Sequence, residues 1–282
     1  MLNVHVSYWI TDLIDEQIVS GLERDLSLEE VARASRFRFA SDRRDFVAAH
    51  SLLRQALSRF GNRRPREWTL QPGRHGKPAL SHAHGTDLVF NLSHTRGLVA
   101  CAIARLTAVG IDVEQVNRSS DVQGISARYF SEDEQQMLAA CPSEVRSDRF
   151  TELWTLKEAV VKAVGTGMPS SLDRASFQFV GDTDLRLNGT VSDQADWQCV
   201  LAAPTPDHRL ALAVHCAQGR QPCRVVMQNV ETMQSGPLEP LRESRRWKEE
   251  TLAGSGGGMP HSEGDTVVWV YADLSGPFLV SG

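Results

Sequence analysis

The sequence lacks several features that mark common classes of protein. Its 282 residues include only five cysteines, none in a Cys-x-x-Cys pair, which favours a reducing compartment over a disulfide framework. The net charge is −5, which argues against nucleic acid as the main partner. No window approaches the ~18 apolar residues of a membrane span, and the first residues lack the features of a secretory signal. We therefore expect a cytoplasmic protein that binds neither nucleic acid nor membrane.

The hydrophobic patterns predict a mixture of strands and helices. The stretch "NVHVSYWI" alternates like a strand, residues 27–60 have helical spacing, and three strands follow up to residue 115. Two further helices and several short strands come next. The repeated order predicts an α+β fold of two similar halves, which we place at residues 1–105 and 106–220.

Local signals mark where several helices begin and end. Ser27 with Glu30, and Ser131 with Glu134, have the Ser-x-x-Glu spacing of a capping box. Gly165 stands where a helical pattern stops, and we expect it to end that helix.

Residues 221–282 differ in character from the rest of the chain. They contain the polar, turn-rich stretch "MQSGPLEPLRESRRWKEETLAGSGGGMPHSEGD", with a linker-like glycine run and one strand-like segment, "TVVWVYADL". We predict a weakly structured C-terminal extension of unknown role.

The segment "VGIDVEQV" places two carboxylates on one face of a predicted strand. Asp112 and Glu114 point one way, while Ile111 and Val113 point into a core. Adjacent carboxylates repel each other unless solvent or a cation separates them, and Mg²⁺ suits carboxylates combined with substrate phosphates. A solvated strand face is the alternative that this pattern alone leaves open.

The segment "ELWTLKEAVVKAVG" places Trp154, Glu158 and Lys162 at successive i, i+4 positions of a helix. A surface ion pair between Glu158 and Lys162 is the simple interpretation. However, apolar residues occupy much of the helix circumference, so a buried carboxylate and ammonium need partners. Glu158 would then share a cation with Asp112 and Glu114, and Lys162 would meet a phosphate.

Basic side chains elsewhere suit either solvent or a phosphate. His94 lies in the polar turn "NLSHTRG", and Lys77 lies between Gly76 and Pro78. Four arginines cluster in the first third of the chain, namely Arg36, Arg38, Arg43 and Arg44.

The joint order of these segments resembles the 4′-phosphopantetheinyl transferase superfamily, in its longer, monomeric, Sfp-like branch. The resemblance covers about residues 30–217. It rests on five segments: "GKP" at 76–78, "NLSHT" at 91–95, "GIDVE" at 110–114, "FSEDE" at 130–134 and "WTLKEAVVK" at 154–162.

The resemblance implies two α+β halves around a pseudo-twofold axis, with coenzyme A in the cleft between them. Such enzymes use Mg²⁺ to transfer the 4′-phosphopantetheine arm of coenzyme A to a serine of an apo acyl or peptidyl carrier protein, as in secondary metabolite biosynthesis. They release adenosine 3′,5′-bisphosphate. A monomer is expected, because one chain contains both halves.

The resemblance also implies residue roles in catalysis. Asp112, Glu114 and Glu158 would hold Mg²⁺, although Glu158 would alternatively deprotonate the serine. Lys162 would neutralise or protonate the leaving phosphate. Glu134 would lie near the metal waters or act as another base.

Other residues are assigned to substrate binding. Lys77 and His94 would contact coenzyme A, Arg43 or Arg44 would reach its 3′-phosphate, and Lys157 would contact a phosphate or cap a neighbouring group. Trp154 is interpreted as core packing, and Met137 with Leu138 as candidates for the rim that meets the carrier.

Two rival interpretations stay open at this point. One is a different Mg²⁺-dependent enzyme that acts on a nucleotide-like substrate through the same carboxylates. The other is a binding module that has lost activity, which the intact Asp112, Glu114, Glu158 and Lys162 argue against.

Overall fold

The computed structural model describes residues 3–73, 77–116, 121–165, 172, 175–180, 184–188, 196–216, 223–230 and 269–273. The α-helices in these ranges are α1 (Glu16–Leu22), α2 (Leu28–Ala34), α3 (Ala40–Phe60), α4 (Val122–Tyr129), α5 (Glu132–Ala140) and α6 (Ser143–Val164). The strands there are β1 (Asn3–Ile10), β2 (Leu70–Pro72), β3 (Pro78–Leu80), β4 (Leu88–Thr95), β5 (Leu98–Arg105), β6 (Val109–Gln115), β7 (Ser176–Val180), β8 (Asp184–Asn188), β9 (Asp196–Thr205), β10 (His208–Cys216), β11 (Arg224–Asn229) and β12 (Trp269–Asp273). This composition confirms the predicted α+β class.

The helix ends follow the predicted local signals. Ser27 and Glu30 form a reciprocal capping box at the start of α2, and Ser131 and Glu134 form one at the start of α5. Gly165 ends α6 in the left-handed region at φ 73°, which a residue with a side chain rarely adopts. The predicted helical stretch 27–60 is divided into α2 and α3 by the intervening residues.

Two four-stranded sheets form the centre of the fold. Their strand orders are β11-β1-β5-β4 and β12-β9-β10-β6. The long helix α3 packs on β4 and β5, and α6 packs on β6 and β10. Apolar residues from the other face of both sheets form one shared cluster. Each sheet is therefore covered by a long helix on one side and by its partner sheet on the other.

Strand β6 shows how this layering separates polar from apolar residues. Val109, Ile111 and Val113 belong to the cluster between the sheets. The alternate residues of the strand, which include Asp112 and Glu114, face α6, because successive side chains of a strand point to opposite faces. The predicted alternation along this segment is confirmed.

Parts of the predicted extension, residues 221–282, belong to the sheets. Strand β11 pairs in parallel with β1 and contributes the buried side chains Val225 and Met227, with Val230 buried just after it. Strand β12 pairs in parallel with β9. The glycine-rich stretch between them lies outside the described residues. The division of the chain at residue 105 stays a prediction, because β11 returns from the C-terminal side to the first sheet.

Among the helices of the described ranges, none has the length and apolar character needed to cross a membrane.

Candidate active site

The site forms where α6 passes very close to β6. A Cβ added to Gly110 would lie 3.0 Å from the Cα of Ala163 and closer still to the carbonyl oxygen of Ala159. Only glycine allows the two backbones to approach this closely. Asp112 follows two residues later on the same face, and Glu158 and Lys162 adjoin the two alanines in α6. The close contact therefore sets the separation between these three side chains.

Three carboxylates gather around this contact, and two of them are almost fully buried. Asp112 is 3% exposed and Glu158 is 8% exposed. Among the described residues, neither Oδ2 of Asp112 nor Oε1 of Glu158 has a hydrogen-bond partner. Glu114 is partly exposed and accepts a hydrogen bond from the indole of Trp154. Buried oxygens of this kind are costly unless a cation or donor satisfies them.

The environment makes two of these carboxyl groups unusually weak acids. Burial raises the pKa of Glu158 to about 7, and the charge of Asp112 adds to the effect. Burial and the charge of Asp112 likewise raise the pKa of Glu114 to about 7, against the opposing influence of Lys162. Both groups therefore titrate near neutral pH and can exchange a proton there.

Lys162 supplies the balancing charge from the same helix. Its Nζ lies 2.5 Å from Oδ1 of Asp112 and donates to Oγ of Ser93 at 2.9 Å. Ser93 also donates to Oδ1 of Asp112 at 2.9 Å. Because Ser93 lies on β4, this triad connects the first sheet to the carboxylates of the second.

The side chains of Asn91 and Ser93 are functional candidates that the sequence did not single out. Asn91 Oδ1 accepts the backbone N–H of Ile111 at 2.7 Å, so both residues attach β4 to β6. Their alternation with the apolar Phe90 and Leu92 was the available signal, because polar residues on the inner face of a buried strand need partners.

His94 projects from the end of β4 into a region of mixed charge. Its side chain is exposed on one side, and partial desolvation with the charge of His50 lowers its pKa. The charges of Lys162 and Arg33 act in the same direction, and Asp45 opposes them. His94 therefore lies between the carboxylate cluster and the basic side chains of α2 and α3.

The predicted phosphate-binding arginines are both held by carboxylates of the protein. Arg43 pairs with Glu16 and, at 2.7 Å, with Glu23. Arg44 lies 2.8 Å from Asp12 and 3.5 Å from Asp45.

The charge of Arg33 contributes to the lowered pKa of His94. The guanidinium carbon of Arg33 lies 5.0 Å from the centre of the Phe46 ring. Sequence reasoning named Arg36 and Arg38 from the same basic segment but not Arg33. The signal it could have used is a basic residue one helical turn before them.

Lys77 lies beside the site but points at the backbone. Its Nζ donates to the carbonyl oxygens of Lys162 at 2.6 Å and Val109 at 3.2 Å. Burial and the charge of Lys162 lower its pKa to about 8. Lys77 thus fixes the last turn of α6 to β6. Gly76, its predicted turn partner, lies outside the described residues.

Lys157 and Glu134 do not reach the carboxylate cluster. Lys157 caps neighbouring groups, which is one of the two roles expected of it, whereas the burial of Glu134 corrects its expected place near the metal. Both side chains are 0% exposed and lie 2.9 Å apart. Lys157 also donates to the carbonyls of Leu172 and Ala175. Glu134 accepts the backbone N–H of Phe177 at 2.8 Å in addition to its capping bond. Buried and fully occupied, this pair holds α5 and the start of β7 against α6, and neither group is open to a phosphate or a hydroxyl.

Two further predictions concern the apolar residues around α6. Trp154 packs against Tyr129 and Phe150, as expected of a core residue, but its indole also holds Glu114. Leu138 is buried in the core beneath α6 and Met137 packs against that core, so they are poor candidates for a rim that meets a carrier.

The donor set suits a hard divalent cation. Carboxylate oxygens are the ligands that Mg²⁺ prefers, and two oxygens of this cluster have no hydrogen-bond partner among the described residues. In the described part of the chain, no three acidic, histidine or cysteine side chains already stand close enough together to hold an ion. Lys162 instead balances Asp112, so a cation would have to share or replace that contact.

Comparisons with known proteins place both halves in one family. Residues 108–214 match the 4′-phosphopantetheinyl transferase superfamily, and residues 16–105 match a family described as 4′-phosphopantetheinyl transferase, N-terminal.

Two curated relatives match over most of their length. The 4′-phosphopantetheinyl transferase HetI of Nostoc sp. is 34% identical over 170 residues, which is 60% of this chain and 72% of the relative. The 4′-phosphopantetheinyl transferase Sfp of Bacillus subtilis is 29% identical over 162 residues, 57% of this chain and 70% of the relative.

A holo-(acyl-carrier-protein) synthase structure from Bacillus anthracis aligns with 40% of this chain and 98% of its own, at 18% identity and a TM-score of 0.36. The 34% identity to HetI, over 72% of that relative, shows the family to which this chain belongs. The chain belongs to the 4′-phosphopantetheinyl transferase superfamily and is a phosphopantetheinyl transferase of the Sfp-like branch.

Proposed function

We propose that this protein transfers the 4′-phosphopantetheine arm of coenzyme A to a serine of an apo carrier protein. The serine oxygen attacks the β-phosphorus, the bond from that phosphorus to the bridging oxygen breaks, and adenosine 3′,5′-bisphosphate leaves. The observation that carries the proposal is the cluster of Asp112, Glu158 and Lys162, in which unsatisfied carboxylate oxygens lie beside an ammonium group.

Asp112, Glu114 and Glu158 are the residues that would hold Mg²⁺. Bound there, the ion would neutralise negative charge on the pyrophosphate of coenzyme A. The orphaned oxygens of Asp112 and Glu158 support this assignment, since a buried carboxylate without a donor is stabilised by a cation.

Lys162 is proposed to bind the leaving phosphate. In the described structure its ammonium contacts Asp112 and Ser93 and is partly exposed. A short move away from Asp112 would free an N–H donor of the ammonium for a phosphate oxygen. At that position Lys162 would neutralise the negative charge that develops on the leaving phosphate, or would deliver a proton to it.

Glu158 has the properties of a proton acceptor for the serine. A carboxyl group with a pKa of about 7 is ionised in part of the population at neutral pH and then accepts a proton efficiently. Metal ligand and base are alternative roles for this residue, and Glu114, with a similar pKa, is the second candidate base.

His94 and Arg33 are proposed to bind phosphate groups of coenzyme A. His94 offers an exposed imidazole, and the charges of both Lys162 and Arg33 act on it. Binding by Arg43 or Arg44 would first require release from their carboxylate partners. Lys77 is proposed to act indirectly, through its hold on the end of α6.

The partners proposed are coenzyme A and an apo acyl or peptidyl carrier domain, and the protein is proposed to act as a monomer. The proposed coenzyme A site lies between the two sheet-and-helix halves. Its support is the contact of Ser93 in the first half with Asp112 in the second.

The test measures release of adenosine 3′,5′-bisphosphate by chromatography, with metal-stripped protein, coenzyme A and an apo carrier. We expect release only after Mg²⁺ is added, in equal amount to carrier modified. Asp112→Asn should abolish it, whereas Asp133→Asn, an exposed change at the start of α5, should not. Full release by metal-stripped protein, or by Asp112→Asn, would contradict the proposal.

A further inference from the structure

The turn at Arg96 and Gly97 joins β4 to β5 and follows His94 by two residues. The N-terminal part of the chain holds this turn on one side. Gly97 adopts φ 82°, and a Cβ there would lie 2.5 Å from Oδ2 of Asp12. Its N–H donates to Asp45 at 3.3 Å and its carbonyl accepts the N–H of Thr11 at 2.9 Å. On this side the turn is fixed against β1 and α3.

The buried side chain of His208 holds the same turn from the C-terminal part. The Nε2 atom of His208 lies 2.9 Å from the carbonyl oxygen of Arg96, and His208 is 4% exposed. A carbonyl oxygen only accepts, so Nε2 must carry the proton. The other ring nitrogen, Nδ1, lies 2.7 Å from Oγ1 of Thr205, whose hydroxyl can donate to it. Both ring nitrogens are thus satisfied, and the ring orientation is fixed.

His208 also has a set position relative to the carboxylate cluster. It lies at the start of β10 directly opposite Gln115, and its neighbour Arg209 lies opposite Glu114. The pairing of β10 with β6 therefore places His208 opposite the residue that follows Glu114, a proposed metal ligand. Arg209 points to the other face and anchors α6 through Asp148 at 2.5 Å.

We propose that His208 is a positioning residue for coenzyme A binding. By holding the Arg96 carbonyl, it sets the end of β4, and with it His94 two residues earlier, at a fixed distance from the carboxylate cluster on β6. The phosphate groups of coenzyme A, bound between His94 and Lys162, depend on that distance. The inference rests on the proposed function, because it takes His94 as a phosphate contact.

The test compares three variants by calorimetric binding of coenzyme A, steady-state kinetics and thermal unfolding. His208→Leu removes the donor and leaves the Arg96 carbonyl without it, so we expect the Kd and KM for coenzyme A to rise about tenfold. The kcat and the half-saturating Mg²⁺ concentration should change less than twofold. His208→Gln retains an N–H donor near the position of Nε2 and should restore most of the affinity. His215→Leu, at the far end of the same strand, is the matched control and should leave the Kd unchanged.

A double-mutant cycle with His94→Ala identifies the route of the effect. If His208 acts through His94, the double variant His94→Ala/His208→Leu should bind coenzyme A no more weakly than His94→Ala alone. Additive losses would overturn the positioning role, as would an unchanged Kd in His208→Leu or failure of His208→Gln to rescue a folded protein. A wild-type protein that binds coenzyme A but modifies no carrier would instead contradict the proposed function, and the binding cycle would still decide the role of His208.

Discussion

Gly110→Ala is the substitution that tests most severely how the site is assembled. A methyl group at this position would lie 3.0 Å from Cα of Ala163 and closer still to backbone atoms of Ala159 and Ala163. These are helix backbone atoms, which cannot turn away as a flexible side chain can. To reach ordinary contact near 3.4 Å, α6 must withdraw from β6 by on the order of 1 Å.

The expected cost falls more heavily on activity than on stability. Overpacking of this kind costs about 1–3 kcal/mol of unfolding free energy, which a chain of this size with two helix-covered sheets should tolerate. The same displacement moves Glu158 and Lys162 away from Asp112, where Nζ and Oδ1 now lie 2.5 Å apart. A misplacement of about 1 Å in a catalytic group can reduce the rate about 10²-fold.

The assay is kcat/KM for transfer to a carrier protein, measured beside thermal unfolding. We expect Gly110→Ala to fold with a lower Tm and to lose about 10²-fold or more of kcat/KM. Gly21→Ala is the matched control, because nothing lies within 4 Å of its Cβ position in α1, and it should unfold no more easily than wild type. A folded Gly110→Ala protein with wild-type turnover would refute the view that close packing of β6 and α6 builds the site.

Further predictions concern the charged groups and the C-terminal strands. Lys162→Ala should lower kcat by about 10²-fold while raising the KM for coenzyme A much less, and a change confined to KM would make it only a binding residue. The pKa values of Glu114 and Glu158, raised to about 7, mean that the folded protein retains protons that the unfolded chain releases near pH 4.5. The metal-free protein should therefore lose stability as pH rises from 4.5 to about 7, and calorimetric Mg²⁺ affinity should increase over the same interval; an affinity independent of pH would contradict the shifts. A chain cut before Cys223 loses β11, β12 and the buried side chains of Val225, Met227 and Val230, each worth about 1.5–3 kcal/mol. Its Tm and soluble yield should fall, and an unchanged Tm would show that this part of the chain is dispensable.

The placement of the carboxylate cluster could be predicted because it depends on local periodicity. The two-residue repeat of β6 puts Asp112 and Glu114 on one face, and the four-residue spacing in α6 puts Glu158 and Lys162 on one stripe. The glycine at 110 also signals close approach, although its partner helix is visible only in the structure.

The sequence could not predict which groups each charged side chain contacts, because these contacts depend on long-range packing. Lys157 and Lys162 stand in the same helix, yet one is sealed against Glu134 and the other opens toward Ser93. Nothing in their spacing distinguishes them. The ion pair of Arg43 with Glu23 likewise joins residues twenty positions apart, with all of α2 between them.

The two strands within residues 221–282 could not be assigned to their sheets from the sequence, for a similar reason. The strand β11 is short and its pairing partner β1 lies at the opposite end of the chain, so its neighbours in sequence carry no sign of the sheet it completes. The polar, glycine-rich composition that follows β11 differs from that of the preceding chain, but it does not reveal which segments pair with the sheets.

The most direct test of the central claim is intact-mass spectrometry of apo carrier proteins incubated with this protein, coenzyme A and Mg²⁺. The account predicts that at least one carrier gains the mass of a single phosphopantetheine group on serine, and that EDTA prevents the gain. A panel of acyl and peptidyl carriers that all keep their apo mass, with a folded enzyme that binds coenzyme A, would contradict it.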